Sequence, residues 1–188
     1  EYEQSPHHVL VVTYWSVGDA LVQAYTLPYL RIMLKVLPPG SVIHLITLEG
    51  TGACGSRAIE PGIEVHGFRY VPFGPKAFGM LAQLVWYALR LIRRNKVRTI
   101  HAWCTPAGMV GYLLSVLSGK PLVLDSYEPH AEAMVENGTW QRTGLAFRTL
   151  FHFERRQSQR ATAHIACAEG MRGYALEKYG VRCQRFYV

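Results

Sequence analysis

Three carboxylates and a histidine fall within eight residues of one another in the segment Val123-Leu124-Asp125-Ser126-Tyr127-Glu128-Pro129-His130-Ala131-Glu132. Carboxylates can hold sugar hydroxyls in bidentate fashion, and an imidazole can contact a hydroxyl or take a proton from one. Glu128 and His130 are therefore the candidate catalytic residues, with Asp125, Tyr127 and Glu132 as candidate contacts to a hydroxyl-rich acceptor. Plainer roles compete: Asp125 can cap backbone amides, and Glu132 can simply occupy a first helical turn.

A second segment, Ile100-His101-Ala102-Trp103-Cys104-Thr105-Pro106-Ala107-Gly108, puts His101 and Trp103 on one face of a strand, two residues apart. Trp103 can stack on a sugar ring, or the pair can pack beneath the following helix. Thr105 stands where an N-cap belongs, with Pro106 in the first turn. A third segment, Tyr14-Trp15-Ser16-Val17-Gly18-Asp19-Ala20, is a strand-to-helix turn whose Ser16, Gly18 and Asp19 lie close to a helix N-terminus. Such a turn can approach a phosphate. With one glycine and the anionic Asp19 beside it, however, the turn is not the GxGxxG dinucleotide fingerprint, and a simple turn is an equal reading. No HExxH, paired Cys/His spacing, G-x-S-x-G elbow or GxxxxGK[ST] loop occurs, so metal-hydrolase, serine-hydrolase and NTPase chemistry lack their motifs. A metal held by His101, His130 and the nearby acids is a weaker reading, and no metal is expected.

The elements that must carry these residues alternate. Apolar runs of strand length at His8 to Trp15, Ser41 to Leu48, Ile63 to Tyr70, Val97 to Trp103, Leu122 to Tyr127 and Ala163 to Ala168 are separated by helix-length stretches. That is the mark of a parallel sheet wrapped by helices. The helices are expected over Ala20 to Leu37, with Pro28 kinking it or marking a late start, Phe78 to Lys96, Thr105 to Ser118, Thr143 to Arg160, and a short one ending at Gly180. The Gly-rich stretch Glu49 to Gly62 reads as a surface loop, and Gln184 to Val188 as the start of another strand. One doubly wound, mainly parallel, Rossmann-like α/β domain accounts for residues 1–188. In such sheets ligands bind beyond the carboxyl ends of the strands, which directs the loops after Trp15, Trp103, Tyr127 and Ala168 to one crevice.

Of the 188 residues, 49% are hydrophobic and 18% charged, which suits a globular chain with a sizeable core. The net charge of +7 favours anionic partners. Arg93-Arg94-Asn95-Lys96 and Arg155-Arg156 close apolar stretches and are not interleaved with aromatics along a groove, so nucleic acid is not the expected partner. The Arg142 to Arg160 stretch combines Arg155, Arg156 and Arg160 with Phe147, Leu150, Phe151 and Phe153, a pattern able to meet an anionic membrane surface. Cys54, Cys104, Cys167 and Cys183 form no CxxC pair and read as buried free thiols of a reducing, cytoplasmic setting. The apolar run Phe78 to Ile92 is too short to span a bilayer.

The order and spacing of "IHAWCTPAG", "GKPLVLDSYEP" and "RRQSQRATAHIACAEGMRGYALEKYGV" resemble the amino-terminal domain of family 4 glycosyltransferases, which have the GT-B fold. The resemblance covers nearly the whole chain. It implies an acceptor-side domain, a nucleotide sugar held mainly by a carboxyl-terminal domain absent from these residues, and transfer with retention and without a metal. It also directs attention to Glu169, which follows Ala168 where relatives have serine, and which is taken as a candidate acceptor contact. Other departures are Trp103, where many relatives carry a histidine, Tyr127-Glu128 in place of His-Asp, and Gly18 standing alone where relatives often have two glycines. The expected enzyme transfers a sugar to a polysaccharide, glycolipid or lipid-linked acceptor at the cytoplasmic membrane surface, and these residues alone are expected to be inactive. A non-catalytic Rossmann-like binding module is the alternative.

Overall fold

The computed structural model describes residues 5–51, 54–72, 75–182 and 185–188. It is an α/β fold, with eight mostly parallel strands and six α-helices among the described residues. The chain divides into two compact units, Glu1–Ile100 and His101–Val188.

In the first unit the strand order is β3-β4-β2-β1, formed by β1 (Val9–Val12), β2 (Ile43–Glu49), β3 (Gly55–Glu60) and β4 (Ile63–Arg69). β1 pairs with β2, and β2 with β4, in parallel. Every residue of β1 and β2 is buried. These strands therefore read as continuous apolar runs, as expected when both faces of a sheet are covered. Each wholly buried Leu or Ile here, among them Leu10, Leu45 and Ile46, contributes about 1.5–3 kcal/mol.

The stretch read as a surface loop contains a strand. β3 runs antiparallel to β4, with a register shift between Ala58 and Glu60. Its Gly-Ser-Arg-Ala-Ile-Glu sequence lies largely in solvent, so it lacks the apolar alternation that identifies a half-buried strand. The turn that creates it is legible in hindsight: Pro61-Gly62 joins the paired residues Glu60 and Ile63, and Gly62 has φ +84°. Proline at the first central position and a left-handed glycine at the second are what a type II turn requires.

Helix α1 (Leu27–Val36) is preceded by a π-helical segment, Val22–Thr26, closed by the Leu27 amide bonding to the Val22 carbonyl. Pro28 has no N–H for the next bond of an α-ladder, and the wider π turn stands where that bond would fall. α2 (Pro75–Arg94) ends in Arg93 and Arg94, cations at the negative end of its dipole.

The second unit orders its strands β5-β6-β7-β8: β5 (Thr99–Trp103, which begins in the first unit), β6 (Leu122–Tyr127), β7 (Ala163–Ala166) and β8 (Phe186–Tyr187). The β6–β7 and β7–β8 pairs are parallel. α3 (Thr105–Ser118) ends at Gly119 with φ +71°, the left-handed cap that glycine provides. α4 (His130–Glu136), α5 (Leu145–Arg160) and α6 (Gly170–Tyr179) follow. Cys104 is buried, whereas Cys54 and Cys167 are exposed. Burial of the thiols, expected from sequence, thus holds for Cys104 alone among the described cysteines, and Cys183 lies outside them. No described helix is long and apolar enough to cross a membrane.

Candidate functional site

At the carboxyl end of β6 the chain turns outward. The His130 amide donates to the Glu128 carbonyl at 3.0 Å across Pro129. This tight turn brings His130 Nδ1 to 3.3 Å from Glu128 Oε1, with the side chains 24% and 46% exposed. Both groups can therefore reach a solvent-borne ligand while touching each other.

Beneath this pair the other candidates are packed away. His101 Nε2 bonds to Asp125 Oδ2 at 2.9 Å, and both residues are buried. Trp103 is 1% exposed and stacks on His101 with ring centroids 5.2 Å apart. The Tyr127 hydroxyl meets Ser158 Oγ at 2.7 Å inside the unit. Thr105 does not cap α3; the N-cap position belongs to Cys104, and the Thr105 hydroxyl donates to the Glu128 carbonyl at 3.1 Å. His101, Trp103, Thr105, Asp125 and Tyr127 are thus buried, which favours the packing reading of these residues over direct contact with an acceptor. Strand alternation does put His101 and Trp103 on one face, but that face lies inside the protein, where the five residues support the turn above them.

The support carries strain. Cys104, at the exit of β5, has φ +70° and ψ +166°, a region held almost only by glycine and costing other residues about 1–3 kcal/mol. Its amide donates to the Asp125 carbonyl at 3.0 Å, and burial pushes its thiol up to about 12, so it is an inert packing group rather than a nucleophile.

Glu154, on α5, was not singled out from sequence. It is 2% exposed, and its Oε1 accepts the Ala131 amide at 2.8 Å while its Oε2 accepts the Tyr179 hydroxyl at 3.0 Å. The start of α4, and with it His130, is thereby pinned to α5 and α6. Burial raises the Glu154 carboxyl to about 7, against the bonds from Ala131 and Tyr179 that lower it. A carboxyl raised on folding contributes stability that is complete below about 4.5 and is lost as pH rises through about 7. We expect the thermal midpoint of the wild type, relative to that of Glu154→Gln, to fall between about pH 5 and 8, as read by scanning fluorimetry of the two proteins. A constant difference across that range would contradict the assignment.

Glu132 is taken up by Arg142, which donates to both carboxylate oxygens, Nη1 to Oε1 at 2.9 Å. Glu169 is exposed at the N-cap position of α6 and makes no capping bond. In the first unit, Ser16 donates its hydroxyl to Glu49, and Glu49 Oε1 accepts the Val17 amide at 3.1 Å. Asp19 Oδ1 accepts the Leu21 amide at 2.8 Å. The amides of Val17 and Leu21 thus already face carboxylates, which favours the plain turn over the phosphate contact. Gly18 has room for a Cβ, so local packing does not demand glycine there. Burial pushes the Glu49 carboxyl upward, but its bonds from Ser16, Thr47 and Val17 outweigh that and hold it below the usual carboxylate range. Glu49 is a pin that the sequence reading also passed over.

The membrane-facing pattern on α5 is changed. Phe147 stacks on Phe151 with centroids 5.4 Å apart, Phe151 meets Tyr179, and Phe153 meets Tyr112. Arg160 is tied to Ser115 Oγ at 3.0 Å. His152, Arg155, Arg156 and Gln159 remain outward, lining a hollow of about 220 Å³. The exposed side of the helix is thus mainly basic and polar, with Leu145 exposed at its start and the rings of Phe151 and Phe153 half-buried.

A family model described as the glycosyl transferase 4-like domain matches residues 7–188. The chain belongs to this family. Its fold is that of GT-B glycosyltransferase domains, and among solved structures it is similar to sucrose-phosphate synthase from Thermosynechococcus elongatus, with a TM-score of 0.70 and 14% identity over 96% of this chain and 47% of that one. It is also similar to a UDP-glucosyltransferase from Polygonum tinctorium capable of glucosylating indoxyl, with a TM-score of 0.61 and 14% identity over 98% and 51% of the two chains. A glycosyltransferase from Rickettsia africae gives a TM-score of 0.54 and 13% identity over 98% and 43%. The chain spans about half the length of these proteins. No curated protein sequence matches it.

Proposed function

We propose that these residues are the acceptor-side, amino-terminal half of a retaining glycosyltransferase that moves a sugar from a nucleotide-sugar donor to a polysaccharide, glycolipid or lipid-linked acceptor. The observation that carries this reading is the solvent-accessible Glu128–His130 pair at the end of β6, mounted on a buried, hydrogen-bonded base. An acceptor hydroxyl must be held against the anomeric carbon while the departing diphosphate is neutralised by aimed donors. Glu128 accepts a hydrogen bond from one acceptor hydroxyl, and His130 contacts a second or takes the proton of the first. The diphosphate donors belong to a carboxyl-terminal domain, a reading supported by the coverage of about half of each structural relative. The basic residues on the outer side of α5 let the enzyme sit on the cytoplasmic face of an anionic membrane chiefly through charge.

The test uses the intact two-domain enzyme. Glu128→Gln and His130→Ala are each expected to lower kcat/KM for the acceptor reaction by about tenfold or more, the scale of a lost hydrogen bond to a charged group, while the KM for the nucleotide sugar stays unchanged. Residues 1–188 alone are expected to transfer nothing. Unaltered acceptor kinetics in both variants, or transfer by the isolated half, would overturn the proposal.

A further inference from the structure

Away from the Glu128–His130 turn, and independent of the reading given to it, three side chains of the first unit converge on one point. His44 is the second residue of β2, Glu64 is its partner in register on β4, and His66 lies two residues further on, on the same face. His44 Nδ1 is 3.2 Å from His66 Nε2 and 3.2 Å from Glu64 Oε2, and His66 Nε2 is 4.0 Å from that oxygen. The edge of a tetrahedron around a zinc ion, given metal–ligand bonds of about 2.0–2.1 Å, is roughly 3.3 Å. Two edges of this triangle already have that length, and the third needs to shorten by a rotation of Glu64, whose side chain is 47% exposed and can move.

We propose that His44, Glu64 and His66 form a binding site for one divalent transition-metal ion of the zinc class. Among the described residues this is where metal-capable side chains gather; His101 and His130 are each taken up elsewhere, by Asp125 and Glu128.

The surroundings of the trio fit a ligand set better than a chance contact. His66 turns its other nitrogen, Nδ1, to Ser56 Oγ at 2.9 Å and to the Tyr87 hydroxyl at 2.8 Å. Either oxygen can accept the Nδ1 proton, which fixes the tautomer that leaves the Nε2 lone pair pointing at the shared centre. Such an outer partner is the usual companion of a metal-bound imidazole. Both rings are buried, so the two imidazoles are held in place by their packing rather than free to swing into solvent. Two imidazoles and one carboxylate suit zinc, cobalt or nickel, whereas magnesium and calcium prefer oxygen ligands throughout. Glu64 lines a surface hollow of about 440 Å³ together with Val42, Ala58, Glu60 and Gly62, which supplies an entry path and room for water as the fourth ligand.

The ion would tie β2 to β4 near the beginnings of these strands, and through Ser56 to the solvent-exposed edge strand β3. Its role is therefore to hold this edge of the sheet.

The test uses tag-free protein stripped with chelator and titrated with zinc against a chromophoric competitor, in parallel with cobalt absorption spectra. We expect one equivalent to bind, the cobalt form to show the d–d bands of a four-coordinate site, and zinc at about a hundredfold excess over Kd to raise Tm by roughly 5–10 °C. Glu64→Ala, at a half-exposed side chain whose loss leaves the sheet intact, is expected to weaken binding by about a hundredfold or more and to remove the thermal shift. His66→Asn is expected to abolish the cobalt bands, with circular dichroism confirming that it folds. Absence of stoichiometric binding by the wild type, or zinc affinity and thermal shift unchanged in Glu64→Ala, would overturn the site and leave a hydrogen-bonded trio only.

Discussion

Replacing Asp125 by alanine is expected to lower the unfolding free energy by about 3 kcal/mol, the cost of removing the carboxylate from a buried hydrogen bond and leaving the His101 ring nitrogen without it. Asp125 is 2% exposed, His101 is 5% exposed, and their atoms meet at 2.9 Å. Asp125→Asn keeps an oxygen that accepts the His101 Nε2 proton, so its expected loss is smaller, about 1–2 kcal/mol. Urea denaturation separates the two variants through their midpoints at constant slope. Equal and small losses in both would mean that the pair does not hold β5 to β6. Under the proposed function the consequence is indirect: with the base loosened, the Glu128–His130 turn above it is no longer preorganised, and acceptor affinity is expected to fall with stability.

Trp103→Ala carries the second large effect, about 3–5 kcal/mol, because it empties the volume of an indole in a close-packed interior. The ring is 1% exposed and lies flat against His101 at an interplanar angle of 23°. Trp103→Phe retains an aromatic face and is expected to recover about half of the loss. A stacking platform for a sugar would behave differently: the alanine variant would lose ligand affinity with little loss of stability. Denaturation midpoints and ligand titrations on the same two variants therefore separate packing from recognition at this position.

Much of the architecture was legible because a parallel sheet covered on both faces demands apolar runs, and Val9–Val12 and Ile43–Glu49 supply them. The helix Thr105–Ser118 ended where Gly119 allows a left-handed cap. β3 escaped notice because an edge strand in solvent needs no apolar pattern, and only its Pro61-Gly62 turn betrays it. For the candidate site residues, the sequence places them at the strand ends but does not give their depth. Alternation says that His101 and Trp103 share a face; whether that face meets solvent or a packed interior is decided by neighbouring elements, which no local pattern encodes. Glu49 and Glu154 were missed for the same reason. A carboxylate that pins a distant amide, as Glu154 pins Ala131, looks in sequence like any acidic residue on a strand end or helix. His44 and His66 did leave a signal, a histidine inside each of two apolar strand runs, but their meeting depends on the β2–β4 register.

Calorimetric titration of the 188-residue chain with a panel of mono- and disaccharides and with UDP, for the wild type, Glu128→Gln and His130→Ala, puts acceptor recognition at the β6 turn to its most direct test. The expected result is saturable binding of at least one sugar, weakened about tenfold or more in each variant, with no saturable binding of UDP. Sugar binding indifferent to both substitutions, or UDP saturating the chain while every sugar fails, would contradict it.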